Sequence, residues 1–208
     1  MDDDDSVVFL VDDDLSFRRS CERLLSMAGY RVESFSSGQE FMERGPPDIP
    51  ACLVTDLRMP GMNGLDLQSV LANAGCKIPL IFVSGHGDVR TSVLAMKAGA
   101  VEFLTKPFQE RELLNAVANA LQLDRASRRG QTERAALRER YDSLTPRERE
   151  VMKHVIAGML NKQIAAALNV GEKTVKFHRA NVMEKMMAGS LAALVKMAFD
   201  LGANNTKI

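Results

Sequence analysis

Three carboxylates and one ammonium stand where chemistry can be done. Asp12 and Asp13 follow directly on the apolar run Val7–Val11, and Asp56 closes the run Cys52–Thr55. Lys106 precedes Pro107, just after the run Val101–Leu104. Short apolar runs bounded by Asp, Pro and Gly read as buried parallel strands. In an open α/β sheet the carboxyl end of such a strand is where ligands bind. Carboxylates gathered on one rim repel each other, which raises their proton affinity or demands a cation. An all-oxygen set with room for water suits Mg2+, which keeps most of its hydration shell. Taken singly, each Asp is well explained as a helix N-cap; a cluster at the ends of two adjacent strands is not. On this reading Asp56 is a nucleophilic carboxylate able to accept a phosphoryl group. The Lys106 ammonium either reaches a phosphoryl oxygen and offsets its charge during in-line transfer, or simply neutralises the acidic rim. Ser84, ending the apolar run Pro79–Ser84, offers a hydroxyl to the same oxygens. A Lys-Pro bond in a tight loop after a strand is of the kind that can be cis. His86, in the turn after Ser84, reads as a contact residue rather than a catalyst.

These residues need a frame that brings distant strand ends together. Val7–Val11, Arg31–Phe35, Cys52–Asp56, Pro79–Ser84 and Val101–Leu104 read as strands. Between and after them, residues 15–28, 37–44, 64–74, 89–98 and 110–124 carry helical spacing, with Gly29 and Gly99 as stops. Five β/α repeats with short connections require parallel strands and right-handed crossovers. From Arg125 to Asp142 apolar residues thin out and Arg and Glu rise, which reads as a largely helical linker despite Gly130. Beyond Leu144 no strand pattern remains. Thr145-Pro146-Arg147-Glu148 combines an N-cap, a first-turn Pro and a capping-box Glu. Asn161 reads as the cap of a second helix. Asn169-Val170-Gly171 turns into a third, from about Glu172 to Met186, and Ser190–Leu201 reads as a fourth. Two short helices joined by a tight Gly-containing turn make a helix-turn-helix.

The formal net charge of zero hides a division. Residues 1–124 carry 11 Lys and Arg against 19 Asp and Glu, and residues 125–208 carry 16 against 8. An acidic half followed by a basic half predicts two modules, the second facing a polyanion. On the third helix of the basic half, Lys173, Lys176 and Arg179 fall toward one side while Val175, His178, Val182 and Met186 lean inward. Cations on such a face suit phosphates and guanine edges. Cys21, Cys52 and Cys76 lack metal-like spacing and read as reduced core thiols. With no signal peptide and no apolar run approaching ~18 residues, a cytoplasmic location without a membrane span is expected. The Asp2–Asp5 run reads as a solvated tail.

The set Asp12-Asp13, Asp56, Ser84, Phe103 and Lys106-Pro107 resembles the receiver domain of two-component response regulators, over about residues 6–124. Residues 144–203 resemble the LuxR-type helix-turn-helix, and the whole chain is similar to the NarL/FixJ family, in particular its FixJ-like branch. The resemblance implies a flavodoxin-like doubly wound sheet of order 2-1-3-4-5. This is followed by an all-α four-helix domain, with boundaries at 1–124 for the receiver, 125–143 for the linker and 144–208 for the DNA-binding domain. It implies Asp56 as phosphoacceptor, with Mg2+ held by Asp13, Asp56 and the Arg58 carbonyl, and by Asp12 through water. Ser84 and Phe103 become a switch pair, although Phe103 also reads as a core residue on an edge strand. The phosphoryl donor is a sensor histidine kinase, with small donors such as acetyl phosphate also competent. Lys176, Phe177 and Arg179 are implied to enter the major groove, with Lys162, Lys173 and Thr174 on the backbone. Phe177 in place of a commoner smaller aliphatic, and Ala180 where some relatives carry a cation, depart from the family pattern. The expected protein is a transcription regulator, generally an activator working with RNA polymerase, that dimerises on phosphorylation through its fourth helix and fifth strand. Beyond its own phosphoryl transfer and slow dephosphorylation, no enzyme activity is expected. Two other readings stay open: a constitutive DNA-binding regulator whose receiver only docks partners, and a Mg2+-dependent phosphatase, which Arg58 disfavours.

Overall fold

The computed structural model describes residues 6–45, 47–85 and 89–202; the Asp2–Asp5 run and His86 lie outside the described residues. The chain divides into two compact units that part between Arg128 and Arg129. In the first, strands β1 (Val7–Val11), β2 (Arg31–Phe35), β3 (Ala51–Asp56), β4 (Leu80–Ser84) and β5 (Glu102–Thr105) alternate with helices. These are α1 (Leu15–Met27), α2 (Gly38–Arg44), α3 (Gly64–Asn73), α4 (Val89–Lys97) and the start of α5 (Glu110–Asp142). Every pairing is parallel and the order is β2-β1-β3-β4-β5, the flavodoxin-like sheet expected.

Side chains alternate between the faces of a strand, and the two apolar layers follow that alternation. Val7, Phe9 and Val11 join Leu53, Phe82, Phe41 and Leu67 on one face. Val8 and Leu10 join Val54, Ile81, Leu25, Leu113 and Val117 on the other. β1 and β4 are buried along their whole length, and β3 is buried up to Asp56. Strands covered on both faces read as continuous apolar runs, and each fully buried Leu, Ile or Phe contributes about 1.5–3 kcal/mol. Cys21 and Cys52 sit in this core and Cys76 at its edge, with no disulfide among them. Burial pushes the Cys21 thiol up to about 11, which makes it an inert core group.

Helix α5 runs unbroken from Glu110 to Asp142 through Gly130. A glycine inside a helix costs only about 1 kcal/mol, so the expected helical character of 125–142 persists across it. The second unit packs α6 (Pro146–Ile156), α7 (Asn161–Leu168), α8 (Glu172–Lys185) and α9 (Leu191–Asp200) around Val151, Met152, Ile164, Val175, Val182 and Leu194. Thr145 and Glu148 form the expected capping box, with Pro146 in the first turn. One detail differs from expectation. The cap position of α7 belongs to Leu160, not Asn161; Gln163 Oε1 reaches back to accept from the Leu160 N–H at 2.8 Å. In the turn between α7 and α8 the left-handed residue is Asn169, at φ 51°, a conformation Asn tolerates better than most, while Gly171 is the cap of α8.

Candidate functional site

Register assembles the acidic rim. Val11 pairs with Thr55 across β1 and β3, so the next residues, Asp12 and Asp56, leave the sheet side by side. Asp56 pairs with Val83, which puts Ser84 one step beyond it. Ser84 in turn pairs with Thr105, which puts Lys106 one step further. Oxygens of Asp12, Asp13 and Asp56 all lie within 4.8 Å of one another. Asp12 is buried, Asp56 half-buried and Asp13 exposed.

Each carboxylate has distinct partners. Asp12 Oδ1 accepts from the Asp14 N–H at 2.8 Å, and its Oδ2 accepts from Lys106 Nζ at 2.7 Å. Asp56 Oδ1 accepts from the Leu57 N–H at 2.7 Å, and its Oδ2 lies 4.0 Å from Lys106 Nζ. Burial holds the Asp56 carboxyl above its ordinary range; Lys106 opposes this, while the nearby Asp12 charge reinforces it. Three carboxylates against one ammonium leave an excess of negative charge on a partly open rim. That donor set fits a hard, oxygen-preferring divalent cation such as Mg2+. The Asp14 carboxylate, in contrast, caps α1 by accepting from the Ser16 and Phe17 N–H groups.

Lys106 is aimed by its surroundings. Its peptide bond to Pro107 is cis, its N–H donates to the Ser84 carbonyl at 2.8 Å, and its ammonium lies 3.5 Å from the centre of the Phe17 ring. Cations over aromatic faces are attracted by the ring quadrupole, so Phe17 and Asp12 together hold the ammonium at the rim. Ser84 is fully buried at the end of β4. Phe103 is half-buried on β5 with its ring 6.2 Å from that of Phe82.

Three contributors escaped the sequence reading. Phe17 and Arg18, the latter donating to the Asp12 carbonyl, sit on α1 with no spacing that marks them. Gly64 opens α3, and a Cβ there would lie 2.5 Å from the Asp56 carbonyl oxygen and 2.8 Å from Phe82 Cε1. Only the Asn63-Gly64 pair at the helix start hinted at it, and that signal is shared by many turns.

In the second unit α8 buries Val175 and Val182, with Met186 buried at its C-terminal cap, and leaves Lys173, Thr174, Lys176, Phe177 and Ala180 exposed. His178 and Arg179 lie between, half-buried. Arg179 Nη1 donates to Asn161 Oδ1 at 3.0 Å, tying α8 to the start of α7. Lys176 lies 3.6 Å from Glu172, a pair too exposed to hold the lysine firmly. Lys162 is exposed on α7. At the base of α8, Lys185 and Asn181 reach the buried Glu148 carboxylate at 2.7 and 3.2 Å.

Residues 8–118 match the family described as response regulator receiver domain, and residues 142–198 the family described as bacterial regulatory proteins, luxR family. The chain is 48% identical over 204 residues to Nodulation protein W of Bradyrhizobium diazoefficiens, covering 97% of this chain and 90% of that protein. It is 42% identical over 194 residues to transcriptional regulatory protein FixJ of Rhizobium meliloti, covering 93% and 95%. Among solved structures, response regulator StyR superposes with a TM-score of 0.87 at 45% identity, covering 94% of this chain and 98% of that one.

Proposed function

The chain belongs to the two-component response regulators with a LuxR-type helix-turn-helix, in their FixJ-like branch, and acts as a transcription regulator; from that premise we propose that its switch is phosphorylation of Asp56. The observation that carries the proposal is the rim itself, in which one ammonium lies 2.7 Å from Asp12 and 4.0 Å from Asp56. An Asp56 oxygen attacks the phosphorus of a phosphohistidine on a sensor kinase. The P–N bond breaks, the imidazole leaves with its electron pair and picks up a proton, and an aspartyl phosphate remains. Lys106 offsets the charge on the transferred group, as preorganised cations do in phosphoryl transfer. Asp13, Asp56 and the Arg58 carbonyl would hold a Mg2+ ion, with Asp12 acting through water, and the ion supplies further neutralisation of the phosphoryl oxygens. That assignment is supported by Asp12 having both oxygens already engaged by protein groups. Apart from this transfer and slow loss of the phosphoryl group to water, the protein is not an enzyme.

The Ser84 hydroxyl then moves toward the phosphoryl oxygens and the Phe103 ring turns inward behind it, shifting a two-state element on α4 and β5. This face dimerises two receivers, a reading supported by Val93, Leu94 and Met96 standing 44%, 51% and 43% exposed along α4. Two α8 helices then occupy half-sites about one helical turn apart. Lys176, Phe177 and Arg179 face the major groove, and Lys162, Lys173 and Thr174 face the backbone. Joining two weak sites raises affinity without any new base contact. We assign the receiver to residues 1–124, a helical linker to 125–143 and the DNA-binding domain to 144–208. The outcome is activation through RNA polymerase, in the cytoplasm. No helix among the described residues is long and apolar enough to cross a membrane. Incubation with acetyl phosphate and Mg2+, read by intact mass, tests the switch: wild type gains one phosphoryl group and Asp56→Asn gains none. A phosphoryl group on another residue overturns it.

A further inference from the structure

Resting on the reading that α8 enters DNA, we infer that the Phe177 ring recognises the 5-methyl group of a thymine in each half-site. Phe177 is 62% exposed on the side of α8 opposite Val175, Val182 and Met186, which are fully buried. Its ring meets the His178 ring edge-on with centroids 5.7 Å apart. Lys173, four residues earlier, and Ala180, three later, share its exposed face, as the helical repeat requires. Arg179 is half-buried and tied back to Asn161, so the exposed groups nearest the ring are Lys173, Thr174, Lys176 and the small methyl of Ala180, with Glu184 two turns further along the same face.

An exposed apolar side chain by itself needs no explanation. The company of this one is informative. A protein-docking face would surround Phe177 with other large apolar groups, whereas here its exposed helical neighbours are Lys173, Thr174, Lys176 and Ala180, on the basic half of the chain. Its partner is therefore a polyanion that carries an apolar group at side-chain reach. In the major groove of duplex DNA the thymine 5-methyl is the apolar group on the base edges. The ring has no donor or acceptor and reads no hydrogen-bonding edge. Lys173 beside it holds a phosphate, which fixes register without specifying sequence, while Lys176 faces the base edges with the ring. The smallness of Ala180 leaves the ring room to lie along the base edges.

The test uses the full-length protein with Mg2+ and acetyl phosphate, and a random duplex library enriched by repeated binding. Each thymine of the enriched site is then replaced by deoxyuridine, which removes the methyl and nothing else. One symmetry-related thymine per half-site is expected to matter. Burying one methyl is worth about four-fold in affinity, so a double replacement should weaken wild-type binding about fifteen-fold. Phe177→Ala, whose fold is checked by circular dichroism, should bind thymine and deoxyuridine sites equally. If no deoxyuridine replacement changes wild-type affinity by two-fold, or if Phe177→Ala keeps the full penalty, the assignment is overturned while DNA binding stands. If no sequence is enriched over the input, the DNA-binding reading itself falls.

Discussion

Replacing Gly64 by Ala should damage the receiver out of proportion to one added methyl. The new Cβ would lie 2.5 Å from the Asp56 carbonyl oxygen, 2.8 Å from Phe82 Cε1 and 3.1 Å from Leu57 Cα, where ordinary contact begins at 3.4 Å. Two of these neighbours are backbone and the third is a ring on a fully buried residue, so none is a flexible tip that can swing away. The start of α3 and the end of β3 must separate by about 0.9 Å, the difference between 2.5 and 3.4 Å. Overpacking of this kind costs roughly 1–3 kcal/mol, while better helix propensity returns at most ~1 kcal/mol. From the upper part of that range, a net loss of about 1–2 kcal/mol lowers the unfolding midpoint of a domain this size, in which each kcal/mol is worth roughly 3–6 °C, by about 3–12 °C. The same displacement shifts Asp56 relative to Lys106, and a misplacement near 1 Å can cost about 100-fold in rate. Thermal unfolding followed by circular dichroism, beside the rate of phosphorylation by acetyl phosphate, reads both effects. A Gly64→Ala protein that melts within 1 °C of wild type and phosphorylates at its rate would refute the close approach and the tight coupling of α3 to Asp56.

Other consequences follow from the same geometry. Lys106→Met strips the buried Asp12 carboxylate of its 2.7 Å partner; phosphorylation by acetyl phosphate should slow at least ten-fold, and wild-type rates would show that the ammonium only balances charge. In Mg2+-free buffer Asp56 is held above its ordinary range, chiefly by burial, so the folded state binds more protons than the unfolded one. Stability therefore falls as pH rises through the acid range toward neutrality. Asp56→Asn should melt higher than wild type at pH 7 and flatten that slope, and an unchanged melting profile would contradict the strain. Burial pushes the Glu148 carboxyl up, but hydrogen bonds from Lys185, the Thr145 N–H and Asn181 outweigh this and hold it at about 2, against 4.5 ordinarily. Its stabilisation is full above about 4.5 and is lost as pH falls toward 2. The protection of α6 amides, taken as their exchange rate relative to the intrinsic rate at the same pH, should fall over that window in wild type, and Glu148→Gln should be less protected at neutral pH with a weaker pH dependence.

The sheet and the rim were legible because the relevant signals are local. Buried parallel strands announce themselves as apolar runs such as Val7–Val11, and a carboxylate at the end of each run needs only the register to meet its neighbours. Thr145, Pro146 and Glu148 likewise define a helix start within four residues. What escaped depends on contacts distant in sequence. Nothing around Phe17 says that its ring will lie under Lys106, and nothing around Gly64 says that β3 will crowd it. Asn161 looked like a cap by type, but its side chain is drawn to Arg179 eighteen residues on, and Gln163 serves the helix start instead. Gly130 looked like a break, yet its cost is small against a helix of 33 residues.

The central claim, that phosphorylation at Asp56 governs dimerisation and DNA binding, is tested most directly by one paired measurement. Dimer mass and DNA affinity are followed with Mg2+ and acetyl phosphate, for wild type beside Asp56→Asn. The account predicts that wild type alone gains both dimer and affinity. If both proteins bind DNA equally, with or without the phosphodonor, the receiver is a docking module and the switch described here does not operate.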